Sequence, residues 1–159
     1  MDKIVEKIYS NQDILNRICF SFCSEKADRE DLFQEIVYRV LRAHTTFNEK
    51  SLFSTWLYRI ALNTAITYSK KKKHLLIEDR PHPVVEENDH DQDRDEEIVV
   101  LYKAIGKLNR IDKAIILLYL DEYSYDEIAE ITGFTSKNIS VKIHRIKKKL
   151  HEIYTQLTD

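Results

Sequence analysis

Residues 124–150, SYDEIAEITGFTSKNISVKIHRIKKKL, read as two helices separated by a glycine stop. Ser124 and Glu127 form a capping box, in which the hydroxyl accepts from the third residue's backbone N–H and the glutamate reaches back to the cap. Ile128, Ala129 and Ile131 supply an apolar face, and Gly133 can take the left-handed conformation that ends a helix. After Phe134 and Thr135, Ser136 is the expected cap of a second helix, whose Ile139, Ile143, Ile146 and Leu150 recur at helical spacing down a buried side. The opposite side carries Lys137, Asn138, Lys142, Arg145, Lys147, Lys148 and Lys149, with no acid before Glu152.

This is helix-turn-helix spacing, and the chemistry of the exposed side suits DNA. A recognition helix enters the major groove by its N-terminal end, where side chains meet base edges while later cations meet phosphates. Asn138 can pair with adenine and Lys137 with guanine acceptors, each good pair giving about 1–3 kcal/mol of discrimination. Lys142 and Arg145 follow one and two turns behind. A charge run by itself is usually a solvated face; two caps, a glycine stop and a basic side occurring together favour the DNA reading.

Outward from this segment, the 159-residue chain holds only two glycines and two prolines, too few for the turns of a strand-rich fold. An all-α protein is expected. Its formal net charge is −2, yet Glu78 to Glu97 alone holds ten acids against Arg80 and Arg94, a net −8 that leaves +6 on the rest. That acidic, proline-containing stretch has little but Val84 and Val85 to bury and reads as a flexible linker. Two small helical domains flank it, 1–75 and 98–159, with the linker at 76–97.

In the first block, Asp28 or Asp31 can cap a helix bearing Leu32, Phe33, Ile36, Val37, Val40 and Leu41, and Ser51 can cap another bearing Leu52, Phe53, Trp56, Leu57, Ile60 and Ala61. The latter is expected to end in the run Lys70 to His74. With the amphipathic segment Ile4 to Phe22 these make a bundle of three or four helices. Lysines after an aromatic-rich helix suit a single-stranded backbone with stacked bases, although such runs also simply solvate a helix end. In the second block Ile98 to Leu108 opens the domain, and Asp112 is the expected cap of an apolar helix reaching Leu120.

Cys19 and Cys23 lie four apart among Ile18, Phe20 and Phe22 and read as buried, reduced thiols, since no further ligands stand at metal-site spacing. The six histidines are scattered in polar surroundings. Glycine-rich phosphate loops, His-Glu-x-x-His pairs and Gly-x-Ser-x-Gly elbows are absent from the sequence, so no catalytic residue, metal or cofactor is expected. No apolar run approaches the length of a membrane span, and a cytoplasmic location follows as the expectation.

The segments Asp31-Leu-Phe-Gln-Glu-Ile-Val-Tyr-Arg-Val-Leu41, Phe47 through Phe53-Ser-Thr-Trp-Leu-Tyr-Arg-Ile-Ala-Leu-Asn63, and Leu118 to Leu150 with Tyr125-Asp-Glu-Ile-Ala129 together resemble the extracytoplasmic-function (ECF) sigma factors of the sigma-70 family. The resemblance implies a non-catalytic initiation factor in which region two, within 1–75, docks on the beta-prime clamp helices of core RNA polymerase through Asp31, Gln34, Glu35 and Arg39. It implies that Phe47, Ser54 and Asn63 hold bases of the minus-ten element while Lys70, Lys71, Lys72 and Lys73 track the strand; Trp56, lying on the apolar stripe, is expected in the core. Region four, within 98–159, would read the minus-thirty-five element through Ser136, Lys137, Asn138, Val141, Lys142 and Arg145 and meet the beta flap; an anti-sigma partner is implied too. Where many members carry a basic residue followed by serine after the first apolar position of the recognition helix, this chain has Ser140 and Val141, so the family's base preference does not carry over. A stand-alone helix-turn-helix regulator and a helical adaptor are the alternatives; only a sigma factor needs core polymerase for specific DNA binding.

Overall fold

The computed structural model describes residues 2–78 and 95–159, and among these residues every regular element is helical. Helices α1 (Asp2–Ser10), α2 (Gln12–Phe22), α3 (Lys26–Ala43) and α4 (Phe53–Glu78) form one compact unit; α5 (Glu96–Gly106), α6 (Arg110–Leu120), α7 (Tyr125–Thr132) and α8 (Ser136–Thr158) form another. Most of the segment read as a flexible linker lies outside the described residues. No helix among them is long and apolar enough to cross a membrane.

In the first unit α2, α3 and α4 pack against one another in all three pairs. Leu15 and Ile18 of α2, Leu32, Ile36 and Val40 of α3, and Leu57, Tyr58, Ala61 and Ala65 of α4 are fully buried, each Leu or Ile contributing about 1.5–3 kcal/mol. In the second unit α8 is the hub, touching α5, α6 and α7. Ile139, Ile143, Ile146 and Leu150 of α8 meet a core of Ala104, Ile105, Ile115 to Leu118, Ile128 and Ala129.

Several helix starts differ from the reading of the sequence. The N-terminal segment is two helices, hinged at Asn11. Helix α3 begins at Lys26 with Glu25 in the cap position and no side-chain cap bond; Asp28 is instead drawn sideways, Oδ1 accepting from Lys72 Nζ at 2.8 Å and lying 3.5 Å from Tyr68 Oη. Ser51 does not cap α4, whose first backbone bond runs from Trp56 N–H to Leu52 O. Asn109, not Asp112, caps α6, accepting from Asp112 N–H at 2.9 Å. Thr135, not Ser136, caps α8, accepting from Asn138 N–H. In each of the last two cases the true cap stands three residues before the N–H it satisfies, the spacing that cap geometry requires. Helix α4 continues past the lysine run to Glu78, and Asp95, from the acidic stretch, caps α5.

The Ser124–Glu127 capping box and the left-handed Gly133 (φ 84°) are formed as the sequence suggests. Another helix end was not legible: Glu122 adopts φ 67°, and Glu122 and Tyr123 N–H donate to Tyr119 and Leu118 carbonyls, a Schellman end in which a glutamate occupies the glycine position. Cys19 and Cys23 are buried thiols outside any disulfide, but Cys23 stands in the extended cap position of α2 rather than on its helical face. Burial, and then the neighbouring Cys23, push the Cys19 thiol up to about 12.

Two measurements check these points. Gly133→Ala, with open space where a Cβ would stand, is strained only through its backbone and should lower the unfolding free energy by about 1 kcal/mol in urea melts, whereas Glu122→Gly should not lower it. A thiol with so little thiolate at neutral pH should resist iodoacetamide in the native protein and react only in denaturant; rapid native labelling of Cys19 would contradict its placement.

Candidate nucleic-acid interface

A helix advances 100° per residue, so α4 sorts its side chains onto separate faces. Opposite the buried stripe of Leu57, Ala61 and Ala65 lie Trp56, Arg59, Asn63 and Lys70, close to one line because 56, 63 and 70 are spaced by sevens. Arg59, Asn63 and Lys70 are exposed, while Trp56 is half-buried. Trp56 is therefore less a core residue than one wall of an aromatic shelf. Phe47, ordered after a short 3-10 turn, packs 5.1 Å from the Trp56 ring and edge-on to Phe53 at 5.8 Å, and Phe53 lies 5.6 Å from Trp56. Lys7 of α1 holds its ammonium 5.5 Å over the Phe53 ring. An aromatic shelf followed by a cation, an amide and another cation along one helix offers π-faces to unstacked bases and charges to a phosphate chain. Ser54, half-buried, sits in the first turn of α4 beside this shelf.

The described lysines of the run do not share one face. Lys70 stays on the outward stripe; Lys71 turns toward α3; Lys72 pairs with Asp28, and the hydrogen bond to Asp28 raises its pKa. The side chain of Lys73 lies outside the described residues. Arg59 is the residue that reading the sequence missed, and its position three after Trp56 and four before Asn63 is the signal that would have found it.

Between α3 and α4 runs an open groove of about 670 Å³, and it gathers all four residues singled out for polymerase docking: Asp31, Gln34, Glu35 and Arg39. Glu35 and Arg39 pair at 3.0 Å one turn apart. On the α4 side Thr64 and Thr67 donate their hydroxyls back to the carbonyls of Ile60 and Asn63, so this wall is low at the threonines and their hydroxyls are satisfied, while Tyr68 and Lys71 line it further along. Tyr38, exposed on α3, is braced by Arg42, whose guanidinium lies 5.8 Å from its ring. A furrow with one low wall and one rim of long polar side chains fits an approaching helix.

In the second unit Lys137, Asn138, Val141 and Arg145 are exposed on α8, Val141 at 60% of its surface. A Val methyl so placed can meet a thymine methyl, and Asn138 a purine edge. Ser136 is in the first turn, where its hydroxyl bonds the Asp126 carboxylate and ties α7 to α8. Two cations are held by aromatics: Lys142 Nζ lies 4.8 Å over Phe134 of the turn, and Lys147 Nζ lies 4.3 Å over the Tyr119 ring and donates to its oxygen at 2.6 Å. That last bond raises the pKa of Lys147. Tyr119, 28 residues away in sequence, gave no sign of this contact.

Two family models match the chain: Sigma-70 region 2 over residues 8–74 and Sigma-70, region 4, over residues 98–150. RNA polymerase sigma factor SigV of Bacillus subtilis (strain 168) is 27% identical over 151 residues, covering 91% of this chain and 87% of that protein. ECF RNA polymerase sigma factor SigW of the same organism is 29% identical over 155 residues, with 89% and 83% covered. Among solved structures, the sigma factor RpoE in complex with the anti-sigma factor NepR from Bartonella quintana superposes with a TM-score of 0.77 at 19% identity over 98% of both chains. CnrH in complex with the cytosolic domain of CnrY gives 0.66 at 19% identity, with 96% of this chain and 88% of that one covered. The two matched regions take in about three quarters of the residues, each carrying one of the basic faces described above, and the chain belongs to the extracytoplasmic-function subfamily of the sigma-70 family.

Proposed function

We propose that this chain binds core RNA polymerase, directs it to promoters and opens them, through two separate nucleic-acid faces and one docking groove. The observation that carries the reading is the outward stripe of α4, where an aromatic shelf, Arg59, Asn63 and Lys70 follow one another in the unit that also holds the groove. Residues 1–75 supply docking, through Asp31, Gln34, Glu35 and Arg39 against a helical part of the polymerase, and minus-ten contacts, through Phe47, Ser54, Arg59, Asn63 and Lys70. Residues 98–159 supply minus-thirty-five contacts through Lys137, Asn138, Val141, Lys142 and Arg145, with Ser136 holding α8 on α7. Lys72 is paired with Asp28 of α3.

Each face alone binds weakly; joined on one chain and carried by the polymerase, the second engagement becomes intramolecular and gains effective concentration. Unstacking a base costs a few kcal/mol, which the shelf offsets by stacking, so promoter opening needs no hydrolysis and no catalytic group. The groove, rimmed by the Glu35–Arg39 pair, is also where an inhibitor that mimics the polymerase helix would sit. All of this takes place in the cytoplasm.

Purified full chain should co-elute with core polymerase and, with it, start run-off transcription on a subset of genomic fragments. Initiation on no fragment, or specific duplex binding without core, would remove the reading in favour of another class. Arg145→Ala should weaken promoter binding by about 1–3 kcal/mol while leaving core binding intact. Trp56→Ala should reduce permanganate reactivity of the opened minus-ten region more than it reduces closed-complex binding.

A further inference from the structure

Resting on the proposed strand-binding role of α4, we infer that Asp28 is a positioning residue for that role, acting through Lys72 and Tyr68 to fix the distal half of α4 on the docking helix α3. The buried stripe of α4 ends at Ala65 among the described side chains, yet the helix runs on to Glu78. Lys70 therefore stands more than one turn beyond the last fully buried side chain of α4 among the described residues. At that level two polar side-chain links from α4 to α3 converge on one atom: Lys72 Nζ at 2.8 Å and Tyr68 Oη at 3.5 Å from Asp28 Oδ1.

Residues 68 and 72 share a face, and Lys70 projects from the other side of the same turn. A clasp at Asp28 therefore sets the rotation and tilt of the turn that presents Lys70. Asp28 occupies the first turn of α3, where its negative charge is favoured by the helix dipole, and the pair is partly shielded, with Lys72 40% and Asp28 21% exposed. The same helix α3 carries the docking rim. Docking and strand contact are thus held at a fixed angle by one carboxylate.

The test turns on sign. Asp28→Lys replaces an acid with a base, and general attraction to phosphate would strengthen nucleic-acid binding; the clasp predicts the reverse, since Lys72 is then repelled. The full chain is titrated with fluorescein-labelled oligothymidylate at fixed salt, with far-UV circular dichroism as a check on folding. Asp28→Lys should weaken binding about three-fold, within what an ion pair of this exposure can supply, and Asp28→Asn should weaken it less. The swapped pair Asp28→Lys with Lys72→Asp should return it toward the unsubstituted value, a rescue that mere loss of stability would not give. Tighter binding by Asp28→Lys, or no rescue by the swap, overturns the inference; if Asp28→Lys does not fold, equal or tighter binding by Asp28→Asn does so. Lys70→Gln separates the levels: if it weakens binding while the Asp28 variants do not, only the clasp falls, and if it has no effect, the strand-binding reading of α4 falls with it.

Discussion

The structure depends on how one helix divides its circumference. Helix α4 must bury Leu57, Tyr58, Ala61 and Ala65 against α2 and α3, and once that stripe is fixed, a 100° step assigns the neighbouring residues to their faces. Thr64, Thr67 and Lys71 fall at the edge of the core and make the low wall of the groove; Trp56, Arg59, Asn63 and Lys70 fall outside. The groove and the outward line are consequences of one burial. Substitutions that loosen the stripe should therefore disturb both together, whereas those on the outward line act alone.

The same logic governs α8, with a difference in how the cations are held. Its isoleucine stripe is fully buried, and the basic residues have no acid on their own face. Lys142 and Lys147 rest instead on Phe134 and Tyr119, contacts worth about 0.5–1 kcal/mol at exposed sites. An aromatic face orients an ammonium without neutralising it, so the surface keeps its positive field toward DNA while its side chains lose less freedom on binding. In the first unit Lys72 is paired with a carboxylate instead, so its charge is offset by a counter-charge where those of Lys142 and Lys147 rest on a π-face.

Much of this was legible in the linear chain because it is local. Helix content followed from the scarcity of glycine and proline and from apolar periodicity; the Ser124–Glu127 box and Gly133 were readable because a capping motif spans only a few residues. The basic side of α8 followed from the same spacing that buries its isoleucines. Caps were less secure: Asn109 and Thr135 displaced Asp112 and Ser136 because two candidate oxygens stood within one turn and only the backbone dihedral chose between them.

What the tertiary structure alone decided is every pairing between distant residues. Four lysines in a row read as one patch, and packing split them, giving Lys72 to Asp28, 44 positions earlier, and Lys71 to the groove. Asp28 was a fair cap by sequence and became a clasp because antiparallel packing brought the end of α4 beside it. The phase of each helix was set by its own periodicity, but the identity of its neighbour was not, since a hydrophobic stripe specifies that a face is covered and carries no information about which helix covers it.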